Sequence, residues 1–105
     1  MMKLLTKEIE NSIPELGKQD GLGYDAIVYA KFFTPDGGWT WYATEYDPEA
    51  REFFGLVDGQ YKELGYFSLD ELESARGMLG LPIERDLYFK PTKLSELTKE
   101  VSDAS

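Results

Sequence analysis

From Phe32 to Glu49 the chain reads FFTPDGGWTWYATEYDPE, a stretch that leaves little choice of fold. Alternating β-branched and aromatic residues stand on either side of Thr34-Pro35-Asp36-Gly37-Gly38. Pro presets one φ angle of such a turn and glycines supply positive ones, so two strands must fold back as a hairpin. The first strand is predicted over Asp25–Phe33 and the second from Trp39 to about Tyr46. On the second, Trp39, Trp41 and Ala43 share one face, which we expect inside. Thr40, Tyr42, Thr44 and Tyr46 share the other, expected to be partly wet.

More strands follow at short intervals. Asp47-Pro48-Glu49-Ala50-Arg51 is a turn, Glu52–Val57 a third strand, Asp58-Gly59 a turn, and Tyr61–Phe67 a fourth strand with Gly65 as a bulge or close-approach position. Short connections favour an up-and-down antiparallel meander. Phe67-Ser68-Leu69-Asp70-Glu71-Leu72 then combines a capping box, Ser68 with Glu71, and a hydrophobic staple, Phe67 with Leu72. A helix is predicted over 69–76 with Gly77 as its stop. Ile83–Phe89 alternates as a fifth strand, and Leu94, Leu97 and Val101 suggest a short final helix.

At the other end, Leu5, Ile9, Ile13 and Leu16 recur at helical spacing, with Thr6 as N-cap and Pro14 as terminator. Ser12-x-x-Glu15 suggests a further capped turn, and Gly17–Gly23 a glycine-rich linker. GKQDGLG lacks the Gly-Lys-Ser/Thr ending of a phosphate loop. The fold class is therefore α+β. We expect one domain over 1–105, frayed at 1–3 and 102–105, with a four- to five-stranded, mostly antiparallel sheet, an N-terminal helix, a helix near 69–76 and a short C-terminal helix.

The chain contains neither cysteine nor histidine, which removes thiolate and imidazole catalysis, disulfides and Cys-ligated metal sites. The formal charge is −9, from 20 acidic and 11 basic residues among 105. Such a field repels nucleic-acid phosphate and anionic lipid and favours a basic protein partner. No apolar run approaches the ~20 residues of a membrane span, and the cytoplasm is the expected location. No cofactor is expected.

Acidic residues concentrate in one corner: Glu45, Asp47, Glu49, Glu52 and Asp58 face Arg51 alone. The candidate partner-binding residues are Trp41, Tyr42, Glu45, Tyr46, Asp47, Glu49, Glu52 and Arg85, with no catalytic residue. On a regular strand Glu45 and Asp47 lie about 7 Å apart on one face. Were Glu84 and Asp86 to join them, four oxygen ligands would suit Mg²⁺ or Mn²⁺ and phosphodiester hydrolysis. Arg85, between two acids, is expected to pair within its own sheet, worth no more than ~1 kcal/mol if exposed. The many aromatics offer a stacking platform but lack the positive groove of a single-strand binder.

LLTKEI at 4–9, TWYATEYDPE at 40–49, FFGLVDG at 53–59, ELGYFSLDELESARG at 63–77 and LPIERDLYF at 81–89 together resemble a bacterial family of domains of unknown function, number twenty-nine fifty-eight. The resemblance implies a small stand-alone protein of plasmids and other mobile elements, often beside conjugation and anti-restriction genes. It implies no reaction and no catalytic residue. Tyr88 stands where the family pattern has histidine, and Tyr42-Ala43 where it has two leucines. The expected function is thus an acidic interaction module of a mobile element, an anti-restriction or anti-CRISPR inhibitor that occupies a basic nucleic-acid-binding surface of a host protein. The alternatives are the carboxylate–metal hydrolase and a non-enzymatic accessory of plasmid transfer.

Overall fold

A computed structural model describes residues 3–98. The expected fraying at 1–2 and at 102–105 and the part of Val101 in the last helix lie outside them. The first helix, α1, spans Lys7–Ser12, and the Thr6 hydroxyl accepts the Ile9 N–H at its start. A 3₁₀ turn at Gly23–Asp25 leads into β1 (Ile27–Val28) and β2 (Ala30–Phe33). Then come β3 (Thr40–Asp47), β4 (Glu52–Asp58), β5 (Lys62–Ser68), α2 (Leu69–Ser74), β6 (Glu84–Arg85), β7 (Thr92–Lys93) and α3 (Leu94–Leu97). The main sheet runs β5-β4-β3-β2-β6, antiparallel throughout, and β1 pairs with β7 in a separate two-stranded sheet. The α+β meander and its three helices are as expected, and the radius of gyration, 13.0 Å, is that of one compact unit.

Both faces of the sheet are covered. One carries Ala30, Phe32, Ala43, Tyr46, Phe53 and Phe67 against Leu4, Leu5 and Ile13 from the N-terminal segment and Leu69 and Leu72 from α2. The other carries Val28, Tyr42 and Leu56 against Leu94 of α3. This corrects the expected wet face of β3, since Tyr42 is only 9% exposed and Tyr46 only 3%. Two causes act. The C-terminal segment folds back over Tyr42, and a bulge shifts Tyr46 to the Ala43 side.

That bulge is the central departure from the alternating pattern. Ala43 pairs with Gly55 and Glu45 with Phe54, so Thr44 is an inserted residue. Gly55 is required opposite it, because a Cβ there would lie 1.8 Å from the Tyr42 carbonyl oxygen. Gly65, the expected bulge position, instead sits in regular register opposite Gly55. The bulge also ends the β2–β3 ladder at Ala30–Ala43, so the predicted Asp25–Phe33 strand divides at Tyr29. Past that point β1 turns to β7.

The freed groups are taken up by the 17–23 connector, which is no passive linker. Glu45, 3% exposed, accepts the Gly17 N–H at 2.8 Å and the Gln19 N–H at 2.6 Å. The Gln19 amide donates to the carbonyls of Thr44 and Ile27 and accepts the Ile27 N–H, as a strand would. Ser12 does not cap a further turn: its hydroxyl donates back to the Glu8 carbonyl.

Other local expectations shift for identifiable reasons. The Ser68 hydroxyl accepts the Glu71 N–H as the capping box requires, but α2 stops at Ser74 because Ala75 is extended and Arg76 bridges to Pro82. Gly77 is not left-handed; it makes room for Asp36, whose Oδ1 would lie 1.5 Å from an added Cβ. Asp36 Oδ2 accepts the N–H groups of Leu79 and Leu81 and so ties the β2–β3 turn to the 77–81 loop. In that turn Gly37 and Gly38 keep negative φ, and the Thr34 hydroxyl accepts the Trp39 N–H instead. The fifth strand shrinks to Glu84–Arg85, since the Asp86 carboxylate accepts the Tyr88 N–H and turns the chain away.

Two outcomes follow for stability. Glu45→Ala strips both connector N–H groups of their acceptor and lowers the unfolding free energy by about 3 kcal/mol in denaturant titration. Gly55→Ala costs at least ~2 kcal/mol, whereas Gly65→Ala, across the ladder in open space, is neutral or stabilising by up to ~1 kcal/mol.

Candidate functional site

The acidic corner forms where β3 hands over to β4. Asp47 ends β3, and its carboxylate accepts the Glu49 N–H at 3.0 Å, which fixes the turn through Pro48. Arg51 takes a left-handed φ of 54° and directs its guanidinium to α2. There Nε meets Asp70 at 2.7 Å and Nη2 meets Glu73 at 2.8 Å, pairs that hold the Arg51 pKa above its ordinary value, the Asp70 hydrogen bond contributing most. The one base of the turn is thereby engaged away from it. Asp47 and Glu52 are left directly opposite each other in the β3–β4 register. Like charges so placed repel. Glu15, Tyr46, Asp47 and Glu49 border a surface cavity of about 330 Å³.

Of the eight residues singled out in the sequence, Asp47, Glu49 and Glu52 reach this surface. Glu45 does not, being buried beneath the connector. Tyr42 and Tyr46 lie in the core, and Trp41 is half-buried, stacked on Trp39 with ring centres 5.9 Å apart. Arg85 sits on β6, where Nη1 donates to the backbone carbonyls of Lys3 and Leu4, the latter at 3.1 Å. It thus clamps the N-terminal segment rather than serving only its own sheet. Glu15, which the capping pattern had assigned to a helix start, joins the acidic surface because the Pro14 carbonyl accepts the Tyr46 N–H. Only charge sign in the sequence pointed to it.

The four carboxylates of the metal alternative do not converge. Glu84 pairs with Phe33, which pairs with Thr40, at the far end of β3 from Glu45 and Asp47. The separation is five to seven positions, about 17–23 Å along the strand. Asp86 lies 3.9 Å from the Lys31 ammonium. Among the described residues no group of three or more carboxylates could hold a metal ion.

A larger groove, about 570 Å³, opens at that far end between the β2–β3 hairpin and the 84–88 segment. Phe33, Trp39, Leu87 and Tyr88 line it beside the Lys31–Asp86 pair. Trp39 leans over Gly59, where a Cβ would meet its ring at 2.3 Å.

Residues 4–104 match the family model described as "Protein of unknown function (DUF2958)". No curated protein and no solved structure matches the chain. No helix among the described residues is long and apolar enough to cross a membrane.

Burial pushes the phenols of Tyr42 and Tyr46 above the ordinary value of 10.0; Asp58 adds to it at Tyr42, and Glu10, Asp70 and Glu73 at Tyr46 against the opposing Arg51. The unfolded chain therefore loses these protons first. Their contribution to stability is full below pH 10.0 and falls as pH rises through the folded values. Tyr42→Phe and Tyr46→Phe should each flatten the alkaline decline in unfolding free energy measured by denaturant titration.

Proposed function

Given that a chain matched over residues 4–104 belongs to this family of proteins of unknown function, we propose that it is a non-enzymatic interaction module that sets its acidic end against a basic, nucleic-acid-binding surface of another protein. The observation that carries this reading is the opposed Asp47–Glu52 pair. A fold that keeps two repelling carboxylates in register, and sends the nearby arginine elsewhere, sacrifices stability for a negative surface. Glu15 and Glu49 extend that surface, and the net charge of −9 adds long-range attraction to a cationic patch. Carboxylates spaced along strand and turn compete for the arginines and lysines that hold phosphates.

In the mobile-element setting implied by the resemblance, the partner is a host defence effector of restriction or CRISPR type, and occupying its nucleic-acid surface inhibits it. An accessory role in plasmid transfer uses the same surface without an anti-defence phenotype. Carboxylate–metal hydrolysis has less support, since Glu84 lies at the opposite end of the sheet from Glu45 and Asp47.

Affinity capture from a restriction-proficient host should recover such an effector in a complex that weakens as salt rises. Glu52→Lys separates this role from a merely structural one. It turns a repelling cross-strand pair into an attracting one, so the free protein gains about 0.5 kcal/mol. Combined with Glu49→Lys, it lowers affinity for the captured partner by about ten-fold or more, measured by calorimetry. Absence of a bound partner, together with absence of protection for incoming DNA, would overturn the proposal.

A further inference from the structure

The two edges of the main sheet are unlike. The β6 edge is two residues long, and the chain turns off it at Asp86. The β5 edge is seven residues long, in unbroken register with β4, with no proline and no bulge. Among the described residues no strand pairs with its outer side. An unpaired edge of this length is a template for another strand.

Its side chains point to the occupant. Leu64 is 43% exposed and Tyr66 63% exposed on one face, where Tyr66 meets the Phe54 ring edge-on at 5.0 Å. Between them Gly65 has, among the described residues and apart from its own chain neighbours, no atom within 4 Å of an added Cβ and no left-handed φ. Nothing among the described residues requires a glycine there, although glycine in a strand costs roughly 0.5–1 kcal/mol. Its bare backbone leaves the middle of the edge open to close approach.

We propose that β5 is the interface through which two copies of this chain pair, antiparallel, about a two-fold axis at Gly65. In that register Gly65 faces Gly65 of the second copy, Leu64 faces Tyr66, and Lys62 faces Ser68. Leu64 and Tyr66 cover each other, Glu63 faces Phe67, and no two like charges stand directly opposite. The strand is thus its own complement. Antiparallel pairing also separates the acidic ends. Glu52 is level with Ser68, so the two copies of that end lie six residues, about 20 Å, apart along the strands. That exceeds two Debye lengths at physiological ionic strength. The pairing is independent of the role proposed for the acidic end, and its salt dependence has the opposite sign. Screening the mutual repulsion of two chains of −9 tightens it.

Sedimentation equilibrium over a range of concentration and salt tests the pairing. The mass should approach twice the 12.0 kDa of the chain, with the dimer strengthened by salt. Because the chain has no cysteine, Gly65→Cys gives a direct report. Cα atoms facing each other across an antiparallel ladder, about 4.5–5.5 Å apart, are within disulfide reach. Gly65→Cys should therefore oxidise to a covalent dimer, and Glu71→Cys on exposed α2 should not. Leu64→Glu, at an exposed position, should raise the dissociation constant by about ten-fold or more with an unchanged circular dichroism spectrum. A monomer at every salt concentration, equal cross-linking of both cysteine variants, or a dimer indifferent to Leu64→Glu overturns the proposal.

Discussion

The carboxylate of Glu45 is the interaction on which the arrangement turns. It is buried, it accepts two backbone N–H groups of the 17–23 connector, and it does so at the strand irregularity that puts Thr44 out of register. Hydrogen bonds to an ionised acceptor are among the stronger ones a protein makes, and a buried carboxylate without them is expensive. The connector, the bulge and the end of the β2–β3 ladder are therefore one unit. Remove the N–H donors and Glu45 has no place inside; straighten the strand and Tyr46 leaves the core.

From this unit the division of the acidic corner follows. Glu45 works inward, as an internal cap for a loop, while Asp47, Glu49 and Glu52 stay outside. Arg51, which by sequence belongs with them, is drawn to α2 because its left-handed backbone aims it at Asp70 and Glu73. Three pairs or caps of distant origin thus select which charges remain for a partner. The surface that results is smaller and more purely negative than a count along the chain implies.

How much of this was legible depends on range. The Thr6 cap, the Ser68–Glu71 box and the successive short turns rest on contacts between near neighbours, and they place α1, α2 and the meander correctly. The bulge was not legible, because alternation assumes a constant register and a single insertion exchanges the faces beyond it. What stabilises that insertion, Gln19 and Glu45, is separated by 26 residues in sequence. Arg85 likewise read as a partner for its neighbours, when its guanidinium reaches carbonyls more than 80 residues away. Gly77 was expected to stop a helix and Gly37 and Gly38 to supply positive φ, yet Gly77 is needed for space and the other two for neither φ nor cap, while Gly55, passed over inside its strand, is needed for space as well.

The clamp of Arg85 on Lys3 and Leu4 joins the two ends of the fold, and this dictates an order of events during synthesis. Leu4 and Leu5, made some 80 residues before Arg85, have no complete binding site until β6 exists. A chain growing at about 5–20 residues per second therefore carries its N-terminal apolar residues unsheltered for several seconds. The strands of the meander all precede β6 in the chain, so the clamp that closes the molecule waits until they have been made.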